Sequence, residues 1–177
     1  MKITVLGSGG WGTALALLLL ENGHEVTLWS YSVEEWRHMM ETRENPMLAG
    51  VPLPEELALT TELNVVSQAE AVVFATPSFA VRMTAEKVKD LLRPGTVLVS
   101  VSKGIEKDTS LRLSQVIRSI VGETCPVAVL SGPSHAEEVG RRVPTAVVAA
   151  STEESAARLV QDLFMNERFR VYTSADP

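Results

Sequence analysis

The stretch MKITVLGSGGWG, residues 1–12, decides the fold of this chain. A short apolar run at residues 3–6 leads straight into the pattern Gly-x-Gly-x-x-Gly, which Gly7, Gly9 and Gly12 form. The first glycine permits a sharp turn out of a strand, the second has no Cβ to obstruct a pyrophosphate, and the third allows a helix to pack closely on the sheet. The pattern therefore predicts a dinucleotide-binding site.

The next residues complete the β-α-β unit that such a site requires. Residues 13–20 are mostly strong helix formers, and Asn22-Gly23 ends the helix. A second apolar run, at residues 26–29, follows within roughly thirty residues of the chain start. The helix N-terminus directs free N–H groups and the positive end of the helix dipole toward a phosphate. A glycine-rich turn in another kind of α/β protein stays open as the alternative.

Apolar runs alternate with helical segments along the rest of the chain. We expect strands at residues 57–61, 71–75, 96–100 and 127–130, and helices at residues 33–44, 63–68, 79–92 and 111–121. This alternation is typical of a Rossmann-like, doubly wound, mostly parallel sheet. Two extra C-terminal strands, at residues 145–149 and 169–172, follow with a helix at residues 153–164 between them. In the helix at residues 33–44 we expect Trp36, Met39 and Met40 to face the core.

Composition limits the class of protein. With 177 residues, 45% of them hydrophobic, the chain is long enough for one buried core and too short for two. The net charge of −6, without a Lys/Arg cluster, disfavours nucleic acid and acidic membranes as partners. No apolar stretch approaches the length of a bilayer span, so no membrane insertion is expected. The single cysteine, Cys125, cannot form an internal disulfide, which fits a reducing compartment and predicts a cytoplasmic protein.

Loops at the carboxyl ends of the later strands carry the remaining polar signals. Phe79 could pack on a nicotinamide or ribose, or could be an ordinary apolar residue at a helix start. Lys103 could bind a substrate phosphate and polarise a carbonyl, or could be a solvated loop lysine. Ser134 is expected to cap a helix, and we interpret His135, on its first turn, as a surface residue rather than a catalytic base.

The end of the second strand bears on the choice of cofactor. Enzymes that use NAD commonly have Asp or Glu there, about twenty residues past the glycines, to bind the adenine ribose hydroxyls. This chain has Ser30-Tyr31 instead, with Glu34 and Glu35 shortly after. Position 30 therefore has no carboxylate to repel a 2′-phosphate, and the sequence predicts NADP or NAD without choosing between them.

Five segments together resemble the bacterial NAD(P)-dependent glycerol-3-phosphate dehydrogenases. They are residues 7–14 (GSGGWGTA), 22–26 (NGHEV), 102–106 (SKGIE), 131–136 (SGPSHA) and 169–172 (FRVY). They follow family order across the whole chain, and SKGIE and SGPS are distinctive. The resemblance implies an oxidoreductase that interconverts dihydroxyacetone phosphate and sn-glycerol 3-phosphate with NAD(P)H, supplying glycerol 3-phosphate for phospholipid synthesis.

The resemblance also implies roles for individual residues. Lys103 is expected to orient the substrate as the catalytic residue of this domain, and Gly132 and Ser134 are expected to bind substrate. No metal site is expected. The resemblance also adds five cofactor-binding residues to the motif glycines and Phe79. The complete set of expected cofactor-binding residues is Gly7, Gly9, Gly10, Trp11, Gly12, Tyr31, Phe79, Lys103 and Ala136.

We expect residues 1–177 to form an N-terminal dinucleotide-binding domain. The resemblance implies that the proton-donating lysine lies beyond Pro177, in a helical C-terminal substrate domain absent from this chain, so the fragment alone is expected to be inactive. The intact protein is expected to be a homodimer that acts on a small-molecule phosphate. Two other functions stay open: another two-domain NAD(P) hydroxy-acid dehydrogenase, and a non-catalytic NAD(H)-sensing module.

Overall fold

The strands and helices alternate along the chain in the computed structural model, which describes residues 1–177. The strands are β1 (Lys2–Leu6), β2 (Glu25–Trp29), β3 (Ala58–Thr60), β4 (Ala71–Phe74), β5 (Val97–Ser100), β6 (Val127–Ser131), β7 (Thr145–Ala150) and β8 (Phe169–Ser174). The helices are α1 (Gly10–Glu21), α2 (Val33–Thr42), α3 (Val81–Val88), α4 (Leu113–Val121), α5 (Ala136–Gly140) and α6 (Glu154–Phe164). Short 3₁₀ helices lie at Pro46–Leu48, Leu63–Gln68 and Ser78–Ala80.

All eight strands belong to one sheet, in the order β3-β2-β1-β4-β5-β6-β7-β8. The first six strands are parallel to one another. β7 runs antiparallel to β6, and β8 runs parallel to β7. The chain direction across the sheet reverses between β1 and β4, which is where doubly wound folds bind their ligands. The predicted Rossmann-like sheet with two extra C-terminal strands is confirmed.

The apolar residues divide into two clusters, one on each face of the sheet. The larger cluster has 29 buried residues and includes Leu15 and Leu19 of α1 and Phe164 of α6. The smaller has 15 and includes Val81 of α3 and Ile117 of α4. Every residue of β4 and β5 is buried, as expected for strands covered by helices on both faces. Burial on both faces holds the carboxyl ends of the central strands in fixed positions.

Three local predictions need correction. In α2 the indole of Trp36 is half-buried and Met40 is 42% exposed, because this short helix beside the edge strand β3 buries a single residue, Met39. The predicted helix at residues 79–92 is shorter: a 3₁₀ turn precedes α3, which ends at Val88. Ser134 does not cap α5. The residue before that helix is His135, which makes no side-chain cap, and the Ser134 hydroxyl donates to the Gly132 carbonyl at 3.3 Å instead.

Candidate dinucleotide site

A cleft of about 660 Å³ lies at the carboxyl ends of β1, β2, β4 and β5, where the strand order reverses. Its floor is the glycine-rich loop between β1 and α1. Its walls come from the loops that follow the neighbouring strands and from the segment after α2. The predicted site residues that line it are Gly7, Gly9, Gly10, Trp11, Gly12, Tyr31, Phe79 and Lys103.

Each of the three motif glycines is explained by a different feature of the structure. Gly7 has a φ of +121°, and a Cβ there would lie 2.8 Å from the Ala75 carbonyl carbon and oxygen. A Cβ on Gly12 would lie 2.0 Å from the Gly7 carbonyl oxygen, so the close approach of α1 to the first loop requires glycine. A Cβ on Gly9 would meet no protein atom within 4 Å. The space beside Gly9 is therefore open, as a cradle for a ligand requires.

The start of α1 offers unpaired donors to this open space. None of the main-chain N–H groups of Gly9, Gly10, Trp11 and Gly12 donates a hydrogen bond within the chain, and the first helical bond runs from the Thr13 N–H to the Gly9 carbonyl at 2.9 Å. Free amides and the positive end of the α1 dipole together favour an anionic group. The residues present thus fit the pyrophosphate of a dinucleotide.

Lys103 lies at the other end of the cleft. Its ammonium group donates to the main-chain carbonyls of Ser134, at 3.2 Å, and Gly132, at 3.4 Å. It also lies 6.0 Å from the centre of the Trp11 ring, within the range of a cation–π contact. Both acceptors are neutral carbonyl oxygens, so no carboxylate neutralises the charge of this side chain.

The loop that carries Lys103 is fixed at several points. The Trp11 indole N–H donates to the Val101 carbonyl at 3.1 Å, and the Ser102 hydroxyl donates to the Phe74 carbonyl at 3.1 Å. Further along, the guanidinium of Arg82 donates two hydrogen bonds of 2.8 Å to the Glu106 carboxylate. Hydrogen bonds from Arg82 and then from Thr109 lower the pKa of Glu106 to about 2. The SKGIE segment is therefore tied to β4, α1 and α3.

The end of the cleft beside β2 has mixed polarity. Tyr31 is 71% exposed and stands edge-on to Trp29, with ring centres 6.2 Å apart. The ammonium of Lys87 lies 5.6 Å from the Tyr31 ring centre, and the Glu35 side chain lines the cleft. Ser30 is 1% exposed, accepts a hydrogen bond from the Ser8 hydroxyl and donates to the Ser32 carbonyl. The group at position 30 is thus buried beneath the glycine loop, and the exposed neighbours face the cleft.

Three predicted site residues lie beside the cleft rather than in its wall. Gly132 packs against β7, where a Cβ would lie 2.9 Å from the Ala146 carbonyl oxygen. Ser134 is buried, and its main-chain carbonyl, like that of Gly132, accepts from Lys103. Ala136 packs on the start of α1, with its Cβ 3.5 Å from where a Cβ of Gly10 would lie. Their expected contacts with cofactor or substrate stay predictions.

Pro177, after which the proton-donating lysine is expected, lies away from the cleft. It is not among the residues that line the cleft, and its main-chain oxygen accepts a hydrogen bond from the guanidinium of Arg112, at the start of α4. Pro177 therefore does not form part of the cleft. The lysine expected beyond it falls outside the described residues and stays a prediction.

Sequence reasoning missed several residues that line the cleft. Met47 reaches it because the 3₁₀ turn at Pro46–Leu48 folds back over the glycine loop, and Met83 and Thr84 reach it from α3. The Asn-Pro pair at residues 45 and 46 predicts a loop, but no periodicity indicates where a loop packs. For Met83 and Thr84, the available signal was their position on the helix that follows β4, next to the carboxyl end of that strand.

A second groove, of about 820 Å³, is larger but is a weaker candidate site. It runs along the C-terminal half of α1 toward α5 and the start of β8. None of the predicted site residues lines it, and one of its cations, Arg142, already pairs with Glu21 at 3.2 Å. The groove contains no set of free main-chain amides, so the cleft at the strand ends is the better ligand site.

The chain has neither a metal cluster nor a helix suited to a membrane. No three His, Cys, Asp or Glu side chains are grouped so as to hold a metal ion. No helix has both the length and the apolar character that crossing a membrane requires.

The fold and the cleft define a Rossmann-type dinucleotide-binding domain. A family model described as NAD-dependent glycerol-3-phosphate dehydrogenase N-terminus matches residues 2–157. The chain therefore belongs to this family, which confirms the predicted resemblance. The cofactor prediction, NAD or NADP, is likewise confirmed by the family and by the NAD(P)+ relatives described next.

Relatives named NAD(P)+ glycerol-3-phosphate dehydrogenase are similar to this chain over 99% of its length. The NAD(P)+ glycerol-3-phosphate dehydrogenase of Thermoanaerobacter sp. (strain X514) is 45% identical over 99% of this chain and 53% of its own length. That of Pelotomaculum thermopropionicum is 49% identical over 99% of this chain and 51% of its own. The chain thus spans about half the length of the curated relatives it matches.

Solved structures are similar to this chain in fold. The crystal structure of glycerol-3-phosphate dehydrogenase from Coxiella burnetii superimposes with a TM-score of 0.93 and 34% identity, covering 99% of this chain and 54% of that one. A UDP-D-ManNAc dehydrogenase from Pyrococcus horikoshii has a TM-score of 0.75 at 16% identity, covering 98% of this chain and 47% of that one. The second likeness shows the fold alone.

Proposed function

We propose that this chain is the cofactor-binding half of an enzyme that interconverts dihydroxyacetone phosphate and sn-glycerol 3-phosphate with NAD(P)H. Membership of the family and the relatives' names support the reaction. Residues 1–177 form the N-terminal domain of this enzyme, and a second, helical domain beyond Pro177 supplies the proton-donating lysine. The product would be the glycerol 3-phosphate used in phospholipid synthesis, in the cytoplasm.

The observation that carries the proposal is that the cleft contains both the free amides at the start of α1 and an ammonium group, that of Lys103, which no carboxylate neutralises. Lys103 contacts Trp11 at the start of α1, and its ammonium is bonded to carbonyl oxygens alone. A ligand whose diphosphate lies on the glycine loop extends along the cleft toward this cation. A phosphorylated ketone placed beside it would have both negative charge and a carbonyl oxygen within reach of the ammonium.

Each part of the site has a separate chemical task. The nicotinamide cofactor, when bound, supplies or accepts the hydride. The free amides of the glycine loop hold its diphosphate, and Tyr31 and Phe79 offer aromatic faces in the lining of the cleft. Lys103 orients the substrate and stabilises negative charge as it develops on the substrate oxygen. The carbonyl groups of Gly132 and Ser134 position the Lys103 ammonium by accepting its hydrogen bonds. The same two residues bind the substrate next to this ammonium.

The partner predictions follow from the same proposal. The substrate is a small phosphate ester, and nucleic acid is not a partner because the chain is acidic, with a net charge of −6. The intact protein is a homodimer. The alternatives are a dehydrogenase for another hydroxy acid and an NAD(H)-sensing module without chemistry.

Titration of the 177-residue chain tests the proposal. NADH should bind, as measured by its fluorescence, and dihydroxyacetone phosphate should then bind the NADH-loaded chain, as measured by calorimetry. A hydroxy acid without phosphate is the matched control and should give no heat. A sensor module would bind NADH and ignore both compounds. Turnover of dihydroxyacetone phosphate should require the full-length protein, and absence of turnover there would rule out the proposed reaction.

A further inference from the structure

Asn45 is a buried polar residue that bonds directly to the glycine-rich loop. It lies 37 positions along the chain from Ser8 and is 5% exposed. Its side-chain amide donates to the Ser8 carbonyl at 2.8 Å and to the Thr13 hydroxyl oxygen at 2.7 Å. Its side-chain oxygen accepts the Met47 N–H at 2.9 Å. One amide therefore joins the loop, the start of α1 and the turn that walls the cleft.

These bonds set the direction of the peptide between Ser8 and Gly9. The chain has no cis peptide bond, so the carbonyl and the N–H of this peptide point in opposite directions. Asn45 holds the carbonyl inward, and the Thr13 hydroxyl adds a second bond to it at 3.3 Å. The Gly9 N–H is therefore directed outward, where it has no partner in the chain and the space beside Gly9 is open.

The opposite orientation of this peptide would remove the donor from the cleft. With the carbonyl turned outward, its negative end would face the position of the phosphates and oppose an anion. Gly9 is one of the two residues that this peptide joins, and glycine imposes little barrier to rotation about its own backbone bonds. The buried amide of Asn45 thus selects the orientation that binds an anion.

Asn45 also sets the position of the Met47 wall. A Cβ on Gly10 would lie 2.4 Å from the Met47 carbonyl oxygen, so the turn at Pro46–Leu48 packs against the bare α carbon of the helix start. The bond from the Met47 N–H to the Asn45 side chain holds this turn in place.

We infer that Asn45 is a positioning residue for the cofactor diphosphate: it fixes the Ser8–Gly9 peptide so that the Gly9 N–H donates into the cleft. The inference rests on the proposed dinucleotide site and adds a residue that touches neither cofactor nor substrate. Its effect is confined to the part of the ligand that carries the phosphates.

The test is the isosteric substitution Asn45→Asp in the 177-residue chain. The new carboxylate keeps an acceptor for the Met47 N–H but loses both donated bonds. Affinity for NADH and for ADP-ribose should fall by about tenfold or more, because the Gly9 donor is lost or misdirected. Affinity for adenosine, which has no diphosphate, should stay within about twofold. The NMR signal of the Gly9 amide should move on addition of ADP-ribose in the wild type and stay still in the variant.

Asn22→Asp is the matched control. The Asn22 amide also donates to a main-chain carbonyl, that of Leu163 at 2.8 Å, but at the opposite end of α1. This variant should lose a similar amount of thermal stability and keep wild-type affinity for ADP-ribose. If Asn45→Asp does not fold, Thr13→Val removes two bonds of the same network, the one that the Thr13 hydroxyl donates to the Ser8 carbonyl and the one that it accepts from Asn45. A several-fold loss of ADP-ribose affinity is expected there.

The outcomes separate the inference from the proposed function. Equal loss of adenosine and ADP-ribose affinity, or an unchanged response of the Gly9 amide, would show that Asn45 acts on folding alone. Wild-type ADP-ribose affinity in the variant would overturn the inference and leave the dinucleotide site intact. A wild-type chain that binds neither NADH nor ADP-ribose would overturn both.

Discussion

The ammonium group of Lys103 lies 6.0 Å from the centre of the Trp11 ring, so the loop after β5 meets the start of α1. The same indole donates its N–H to the Val101 carbonyl. Trp11 therefore aligns the loop that carries the cation with the amides that receive the diphosphate, and the two halves of the proposed site keep a fixed separation.

Removing the Lys103 charge should impair chemistry and leave folding nearly unchanged. In the full-length enzyme, Lys103→Ala should lower kcat/KM for dihydroxyacetone phosphate by about 100-fold, the scale of losing one positioned electrostatic group. The exposed side chain contributes little to the core, so the melting temperature should hardly move. Lys103→Arg should restore part of the activity, because a planar guanidinium replaces a compact ammonium.

Lys107→Ala is the matched control for this substitution. It removes the same charge from an exposed position in the same loop, away from the cleft. Its kinetics should equal those of the wild type. Wild-type kinetics in Lys103→Ala as well would make Lys103 a solvated loop residue and leave this domain without a cation for the substrate.

Two glycines of one motif should respond oppositely to the same added methyl group. Gly9→Ala should fold with stability within about 0.5 kcal/mol of the wild type, because its Cβ meets no protein atom, and should lose at least about tenfold in NADH affinity. Gly12→Ala should destabilise the chain by about 1–3 kcal/mol or more, because its Cβ would overlap the Gly7 carbonyl. Urea denaturation and fluorescence titration measure the two effects. Unchanged NADH affinity in Gly9→Ala would exclude the space beside Gly9 as the diphosphate site.

The carboxylate of Glu35 should disfavour a cofactor that carries a 2′-phosphate. Glu35 lines the β2 end of the cleft, so Glu35→Gln should raise NADPH affinity relative to NADH by about two- to fivefold, as for screened charges several ångströms apart. Glu34→Gln, one residue away and outside the cleft lining, is the control for net charge. Titrations with both cofactors at low and high salt check the result. An equal gain in the two variants would assign the effect to long-range charge alone.

The sequence predicts the fold well because its signals are local. Central strands need apolar runs, glycines mark the first turn, and β4 and β5 appear within a residue or two of their expected ends. Contacts between distant segments left no such signal. Asn45 before a proline predicts a loop, and the sequence shows nothing of its bonds to Ser8 and Thr13.

The candidate site shows the same division between local and distant information. The glycines and Lys103 were predicted because motif and position after a strand determine them. Ser30 was expected at the cofactor surface but is buried by its bond with Ser8, since the side-chain direction at a strand end depends on how the neighbouring loop packs. An aspartate at position 30 would therefore be buried under the glycine loop, and the exposed residues after it are the better positions for changing cofactor preference.

The ion pair between Arg82 and Glu106 should make stability depend on pH in the acid range. Hydrogen bonds from Arg82 and Thr109 hold the pKa of Glu106 at about 2, below its ordinary 4.5, so the stabilisation is fully present above about pH 4.5 and is lost as the pH falls toward 2. Glu106→Gln should therefore be less stable than the wild type at pH 7, and the difference in melting temperature should shrink steadily between pH 5 and pH 2.5. Glu154→Gln removes a far more exposed partner of an arginine and should change the melting temperature little at any pH. A constant difference between Glu106→Gln and the wild type across this range would show that the carboxylate charge is not what ties the Lys103 loop to α3.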